Sequence, residues 1–453
     1  AQVGYQFGQN KVHYKDFDWK VFRTEHFDVH YYPEAEQAAH DAARMAERGY
    51  DYLSEVLQHD IKERVPLILY ASLNDFQQNN VINSFISDGV RGFAESLKNR
   101  DVLPLPGSYR EFNHVLVHEL VHAFQFDIMA MKLGNNRTNV PLWVMEGMAE
   151  YLSNNMDNVT RMWVRDGIYR DKLLTVKQLN GTYDIRVYRI GQSFFHYIGE
   201  NFGKEMVGTL FKSAIHQGGF QQSLKRHLKM SEEEATKAWH KFAKSHAMPE
   251  DSSLKAPSEI AQKITRQRSY YHRMNVVPSI SPDGEHVVYI ANQNFKEEIY
   301  LLSEDNNASF VDQRLIKGGD SKRFEALRFF DTAIGWSRDG NMISFVSKSG
   351  QDDAIYIMDP HSREVLKRFA FNELNGVQSP TFSPEGDRIA FVGIKGGISN
   401  LYLLDLETGK LDQRTNDRYV VFHPQWSVDG KSILYTTDQG PDTDEQALIF
   451  SDY

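Results

Sequence analysis

Cysteine is absent from all 453 residues. That excludes disulfides and thiolate metal ligands, and leaves histidine and carboxylate side chains to hold any metal. No apolar run approaches the roughly 18 residues that a membrane-spanning helix needs, so no span is expected within these residues. Basic residues are in deficit, 51 against 61 acidic, and the net charge of −10 gives no support for nucleic acid or an anionic membrane surface as a partner. An initiator methionine is missing too. The first residues are Ala1 and Gln2, which suits cleavage of a secretory signal, although a trimmed chain would look the same. No N-terminal cysteine is there to carry a lipid anchor. The length allows two or three domains with substantial cores.

The most informative stretch that is present is His118-Glu119-Leu120-Val121-His122. Two histidines four apart on a helix project from one face, about one turn apart, so both imidazoles can reach one metal ion. The glutamate after the first histidine faces the open side of that metal, where it can take a proton from a water. Phe112 to Met129 reads as a buried helix, apolar almost all round through Val115, Leu116, Val117, Leu120, Val121, Ala123 and Phe124. Burying two histidines and a glutamate in such a helix needs a reason, and a metal is the simplest one. A core helix with satisfied histidines would also fit five residues in a chain with 17 histidines. His114, one turn earlier, shows that this helix accepts histidine without an evident ligand role.

A catalytic zinc takes three protein ligands and leaves one position for water. Glu146 stands downstream within Pro141-Leu142-Trp143-Val144-Met145-Glu146-Gly147-Met148-Ala149-Glu150-Tyr151. HELVH followed by W-x-x-E-G-x-A-E-Y resembles the gluzincin zinc metallopeptidases, nearest to their M1-like aminopeptidase branch and the broad "peptidase MA" group. The resemblance implies one Zn2+ held by His118, His122 and Glu146, with Glu119 as general base. It also places Glu150, a turn beyond Glu146, behind the ligands, where it would fix the ring of a ligating histidine. A solvated helix carboxylate is the plain alternative for Glu150. Tyr188-Arg189-Ile190-Gly191-Gln192-Ser193-Phe194-Phe195-His196-Tyr197-Ile198 resembles the Y-x-x-G-x-x-x-x-x-Y-L helix start of the M1-type enzymes. Their first tyrosine donates to the oxyanion, which makes Tyr188 the candidate stabiliser here. Tyr183, Tyr169 and Arg186 remain alternatives.

The same branch carries a G-x-M-E-N strand whose glutamate binds a substrate's free amino terminus. Gly92-Phe93-Ala94-Glu95-Ser96 stands in that place without the Met and Asn, so internal cleavage is at least as well supported as end-trimming. The stretch could still pair with an extended peptide along its edge. Elsewhere in the first 250 or so residues, Phe27–Tyr32, Val65–Tyr70 and Val102–Leu105 read as strands, and Glu34 to Gln58 as an amphipathic helix. Tyr188–Asn201, Lys204–His216 and Phe220–Lys229 read as helices. Ser231-Glu232-Glu233-Glu234 is a capping box opening a last helix to about His246. The expectation is a mixed sheet followed by helices, with the metal in the cleft between them.

Residues 248–270 include a polar stretch with two prolines and no periodicity, and read as a linker. Beyond it, Ser281-Pro282-Asp283-Gly284, Ser337-Arg338-Asp339-Gly340, Ser383-Pro384-Glu385-Gly386 and Ser427-Val428-Asp429-Gly430 share S-x-[DE]-G, spaced 56, 46 and 44 residues apart. An apolar strand follows each, as in His286–Ile290 and Arg388–Val392. Repeats of this length made of short strands are propeller blades. Their wording closely resembles the WD40-like repeats of TolB. Four blades are visible, fewer than most propellers need to close, so a piece of something longer is expected.

The reading is therefore multidomain: an α+β, thermolysin/gluzincin-like metallopeptidase domain over residues 1–247, the linker, and an all-β propeller over 271–453. The function expected is zinc-dependent hydrolysis of peptide or protein substrates, with the propeller selecting substrates or docking an envelope partner. The TolB likeness and the bare N-terminus imply an exported, periplasmic or envelope setting in a Gram-negative bacterium. Two rivals stay open: an envelope scaffold with a silent protease-like domain, and a zinc hydrolase of non-peptide bonds.

Overall fold

The computed structural model describes residues 11–82, 86, 88–133, 140–216, 218–247, 255, 257–265, 274–293, 296–305, 309–319 and 321–450. The Ala1 start and most of the expected linker lie outside the described residues; Pro257–Ile260 within that linker form a single helical turn.

A five-stranded mixed sheet is laid down first. Its strands β1 (Lys20–Arg23), β2 (Phe27–Tyr31), β3 (Val65–Tyr70), β4 (Phe93–Glu95) and β5 (Arg100–Pro104) lie in the order β1-β2-β3-β5-β4. The inner pairs β2–β3 and β3–β5 are parallel and the two outer pairs antiparallel. Alternation drives β2: Phe27, Val29 and Tyr31 are buried, and Asp28 and His30 between them are half-buried. Helix α1 (Glu36–Leu57) makes the crossover between the parallel strands β2 and β3, burying its alanine-rich face and stopping where Gln58 turns left-handed at φ 46°. A short turn, α2 (Leu73–Phe76), follows β3 and is capped by the Ser72 hydroxyl.

Helix α3 (Tyr109–Leu133) then passes against α1, β4 and β5. Seven helices complete the region: α4 (Leu142–Asn154), α5 (Asn158–Tyr169), α6 (Val176–Leu179), α7 (Arg186–Phe202), α8 (Glu205–His216), α9 (Phe220–His227) and α10 (Glu232–Ala247). The expected capping box opens α10: the Glu234 N–H donates to Ser231 Oγ (3.2 Å) and the Ser231 N–H to the Glu234 carboxylate (2.8 Å). Behind the helices, Trp143 packs edge-on against Phe194 and Phe220, both at 5.2 Å, and Phe194 against Trp239 at 5.5 Å. Both indole N–H groups find acceptors, Asn180 for Trp143 and Ser193 for Trp239, so these large rings are buried without an orphaned donor.

Among the described residues the strand region consists of four antiparallel sheets. The first holds β6 (Asn275–Ile280), β7 (His286–Gln293), β8 (Lys296–Glu304) and β9 (Phe310–Lys317). The second holds β10 (Ala326–Leu327), β11 (Gly335–Trp336), β12 (Ile343–Ser349), β13 (Asp352–Asp359) and β14 (Glu364–Ala370). The third is β15 (Gly376–Phe382), β16 (Arg388–Lys395), β17 (Ile398–Asp405) and β18 (Leu411–Gln413); the fourth has β19 (Phe422–Trp426) and β20 (Ile433–Thr436) alone. Each S-x-[DE]-G copy turns the chain into the next strand of its sheet, with its glycine at positive φ, from 68° to 81°. Ser337 and Ser427 donate to the aspartate two residues on, at 2.6 and 2.7 Å. In the third copy the longer Glu385 does not take this part; Ser383 donates to Asp387 instead, at 2.7 Å. The described residues form blades that do not close into a ring.

The two regions are locked together by buried polar groups. Arg328, 4% exposed, donates to Asp353 of its own sheet (2.9 Å) and across the boundary to Asn74 (2.6 Å) and Asp88 (3.0 Å). Asp88 also accepts the backbone N–H groups of Phe329 (3.1 Å) and Phe330 (2.9 Å). Arg91 pairs with Asp331, its guanidinium lying over the Phe330 ring. On another side, Arg44 and Arg48 of α1 donate to the carbonyls of Gln446 and Ala447 at 3.1 and 2.8 Å, and Leu448 is buried in the core of the sheet-and-helix region.

Candidate metal centre

Three successive turns of α3 carry His114, His118 and His122, and α4 presents Glu146 and Glu150 opposite them. The crossing of α4 with α7 decides how close these groups come. A Cβ on Gly147 would sit 2.5 Å from the carbonyl carbon of Gly191, and one on Gly191 2.8 Å from the Trp143 carbonyl oxygen. The two helices therefore meet backbone to backbone, which brings Glu146 beside α3 and Tyr188 above it.

Glu146 Oε2 lies 3.1 Å from His122 Nε2 and 3.4 Å from His118 Nε2. Ligand atoms on a tetrahedral zinc, with arms of about 2.0–2.2 Å, stand roughly 3.4 Å apart. One ligand atom from each of His118, His122 and Glu146 falls within a 4.8 Å span. Two neutral imidazoles and one carboxylate are also the donor chemistry zinc accepts, so the residues fit the ion. Burial opposes charge on His122, but Glu146 overrides it and raises the imidazole to about 9. The same pairing holds Glu146 ionised, far below the usual carboxylate range despite its burial.

Behind the ligands a continuous set of polar contacts runs from α4 to α7. Glu150 Oε1 lies 3.4 Å from His118 Nδ1, and its other oxygen accepts from Arg189 Nη1 at 3.1 Å, with His114 Nε2 3.5 Å away. Burial works to raise Glu150, yet hydrogen bonding with His114 and the nearby His118 and Arg189 draw it down to about 2. His122 Nδ1 meets Gln125 Oε1 at 2.8 Å, and Gln125 is anchored to the Met145 carbonyl. Both rings are thus oriented through their far nitrogens. Arg189 and Gln125 were not singled out in the sequence. Arg189 directly follows Tyr188, and Gln125 lies three residues from His122 on the helix face that packs toward α4, and those positions are the only signals they offered. Replacing Arg189 with Met is expected to weaken zinc binding about 10- to 100-fold and to lower the thermal transition, since the buried Glu150 carboxylate loses its guanidinium partner, as checked by metal titration and calorimetry.

Glu119 is 7% exposed, and its carboxylate accepts the backbone N–H of Ala94 in β4. Burial raises its pKa, and the two histidines only partly oppose this, so it is a stronger base than a solvated glutamate. Asp101 of β5 lies fully buried close by. Burial and the Glu119 charge push it well above the carboxylate range, and no protein group among the described residues reaches its oxygens. Tyr188 stacks over His118 at 6.2 Å between ring centres, and its hydroxyl bonds to Glu146; burial and the neighbouring carboxylates keep it protonated. Of the alternatives, Tyr183 is 75% exposed, Tyr169 donates to Glu259, and Arg186 is paired with Asp184. Glu95 is engaged by Arg100 Nε (3.1 Å) and the Leu97 N–H (2.8 Å).

Two family models match parts of the chain. One, described as "Peptidase of plants and bacteria", covers residues 100–240, and a second, "TolB beta propeller domain", covers residues 331–444. The candidate metal centre therefore lies within a peptidase-like region. The expected kinship with the gluzincins of the M1-like branch is corrected by the first match. HExxH followed by a helix-borne glutamate is one ligand spacing that unrelated zinc sites can share, so the pattern alone does not fix the lineage. The propeller resemblance holds. The Tol-Pal system protein TolB of Francisella tularensis subsp. mediasiatica is 32% identical over 188 residues, 42% of this chain and 40% of that protein. A TolB homolog of Chlorobium luteolum is 28% identical, over 33% of this chain and 29% of its own length. The uncharacterized peptidase YuxL of Bacillus subtilis is 39% identical over 62 residues, 14% of this chain and 9% of that protein. The chain thus spans two fifths or less of these relatives. Among solved structures, TolB from Acinetobacter baumannii aligns over 36% of this chain and 37% of its own at 22% identity, with a TM-score of 0.30.

Proposed function

We propose that this chain is a zinc-dependent peptidase whose propeller selects substrates or docks a protein partner in the cell envelope. The single observation that carries the reading is the convergence of His118, His122 and Glu146 on one point, with Glu119 buried beside it. Bound there, zinc would polarise a peptide carbonyl and acidify a water. Glu119, raised by burial, takes up that water's proton and returns it to the departing amine, while the Ala94 N–H keeps its carboxylate aimed. Tyr188 offers its hydroxyl to the oxygen that gains charge. The Glu150–Arg189 pair holds His118, and Gln125 holds His122. The likeness to proteins named as TolB of the Tol-Pal system supports an exported, envelope setting. No helix among the described residues is long and apolar enough to cross a membrane.

The test is cleavage of an unfolded protein and a mixed peptide library by the full chain, before and after chelation and after zinc is returned. Cleavage lost on chelation and restored by about one zinc per chain is expected; cleavage that persists without metal sinks the reading. Zinc binding should also release protons. With His122 raised to about 9, the metal-free site carries a proton at neutral pH that the metal must displace. Apparent affinity is then expected to rise about tenfold per pH unit for each proton lost between pH 6 and 8. Calorimetry in buffers of different ionisation enthalpy reads this directly, and an affinity flat with pH contradicts it.

A further inference from the structure

A three-residue edge strand lines the candidate base, and what holds that strand is partly supplied by the blades. Among the described residues strand β4 pairs only with β5, through Phe93, Ala94 and Glu95, so its own ladder fixes it weakly. Its C-terminal end is pinned by the Glu95–Arg100 ion pair at 3.1 Å. Its N-terminal end is pinned from the other region: Asp88 gathers Arg328 and two backbone N–H groups, and Arg91, three residues on, pairs with Asp331 while lying over the Phe330 ring. Gly92 comes next. A Cβ there would stand 3.1 Å from Val115 Cγ1 and 3.4 Å from Glu119 Cγ, so the backbone lies directly on α3 at the base. Two residues later Ala94 gives Glu119 its backbone hydrogen bond.

We infer that Arg91 and Arg328 are positioning residues for Glu119: the docked propeller anchors β4, and β4 aims the base. The inference rests on the peptidase reading for its catalytic consequence, but the anchoring itself does not. A propeller held this way acts on the centre through some six residues of chain, without touching the metal ligands. Whatever pulls on the blade carrying Arg328 and Asp331 is transmitted to the Ala94 N–H.

The test uses the full chain with Arg91→Met, Arg91→Lys and Asp331→Asn, chosen because these side chains are half-buried and their loss spares the fully buried Arg328 network. Hydrogen–deuterium exchange is followed in peptides covering β4, α1 and β12, beside zinc stoichiometry and kcat and KM on the peptide library's best substrate. For Arg91→Met and Asp331→Asn, exchange in β4 is expected to rise about tenfold with α1 and β12 unchanged. Zinc content should stay at the wild-type value, and kcat should fall about tenfold with KM within twofold, since a small misplacement of a catalytic group is costly. Arg91→Lys should recover part of both effects. Unchanged exchange in β4 in either neutralised variant overturns the inference, as does slower turnover explained by lost zinc. Should the wild type cut nothing while holding zinc, the peptidase reading fails by itself, and the exchange data still decide whether the blades hold β4.

Discussion

Glu119→Gln should abolish cleavage while leaving zinc in place. Glutamine keeps the size and can still accept from the Ala94 N–H through its amide oxygen, so the buried pocket is not emptied. What disappears is the proton acceptor, a group whose loss typically costs 10²–10⁴-fold, and about 10³-fold is expected here. The substitution also removes a buried negative charge from the neighbourhood of Asp101, and so lowers the electrostatic pressure on that second carboxyl. The folded state should therefore be at least as stable as the wild type. Loss of turnover with undiminished zinc content and an equal or higher melting temperature is the expected result. A variant that cleaves within tenfold of the wild type would take the general-base role away from Glu119.

Gly147→Ala is the substitution expected to damage the fold most for the smallest chemical change. In an exposed helix, alanine is favoured over glycine by about 1 kcal/mol. Here that preference is outweighed, because the new methyl would stand 2.5 and 2.6 Å from the Gly191 carbonyl carbon and Cα, and neither can rotate away as a side chain could. Overpacking of this kind costs about 1–3 kcal/mol or more, enough to lower the melting temperature by several degrees. Since α4 has to move off α7, Glu146 leaves its place near His118 and His122, and zinc affinity should fall with the stability. Gly181→Ala, whose added methyl would meet nothing nearer than 3.8 Å, is the control expected to be silent. Equal melting temperatures for the two variants would show that the α4–α7 crossing is looser than drawn.

Gly147 and Gly191 also mark how far the sequence could be read. Both stand inside the stretches that were singled out, next to Glu146 and three residues from Tyr188, but nothing in one dimension shows that two glycines 44 residues apart share a contact. The ligands were legible because their spacing is dictated by one helix and one metal. The groups behind them were legible only where they fall a turn away on the same helix, as Glu150 does from Glu146. Arg189 reaches Glu150 from a third helix and carries no local signature. Helix α5 was missed for a different reason: Val159 and Met162 are exposed, 49 and 58%, and only Thr160 and Val164 are buried, so little of it belongs to the core. Among the repeats, the shared serine and glycine were readable, but not that Asp387 rather than Glu385 accepts the serine hydroxyl in the third copy.

The buried Arg328 has a consequence for how this protein can be handled and how it can change. Cutting the chain after α10 would leave Asp88, Asn74 and the underside of α2 facing water without their cation, and would pull Leu448 out of a core made by the other half. The isolated N-terminal half is therefore not an independent part that could be grafted onto another ring of blades. A substitution at Asp88 has to be answered at Arg328 on the far side of the boundary, so the two halves are obliged to vary in step, as the faces of a single core do.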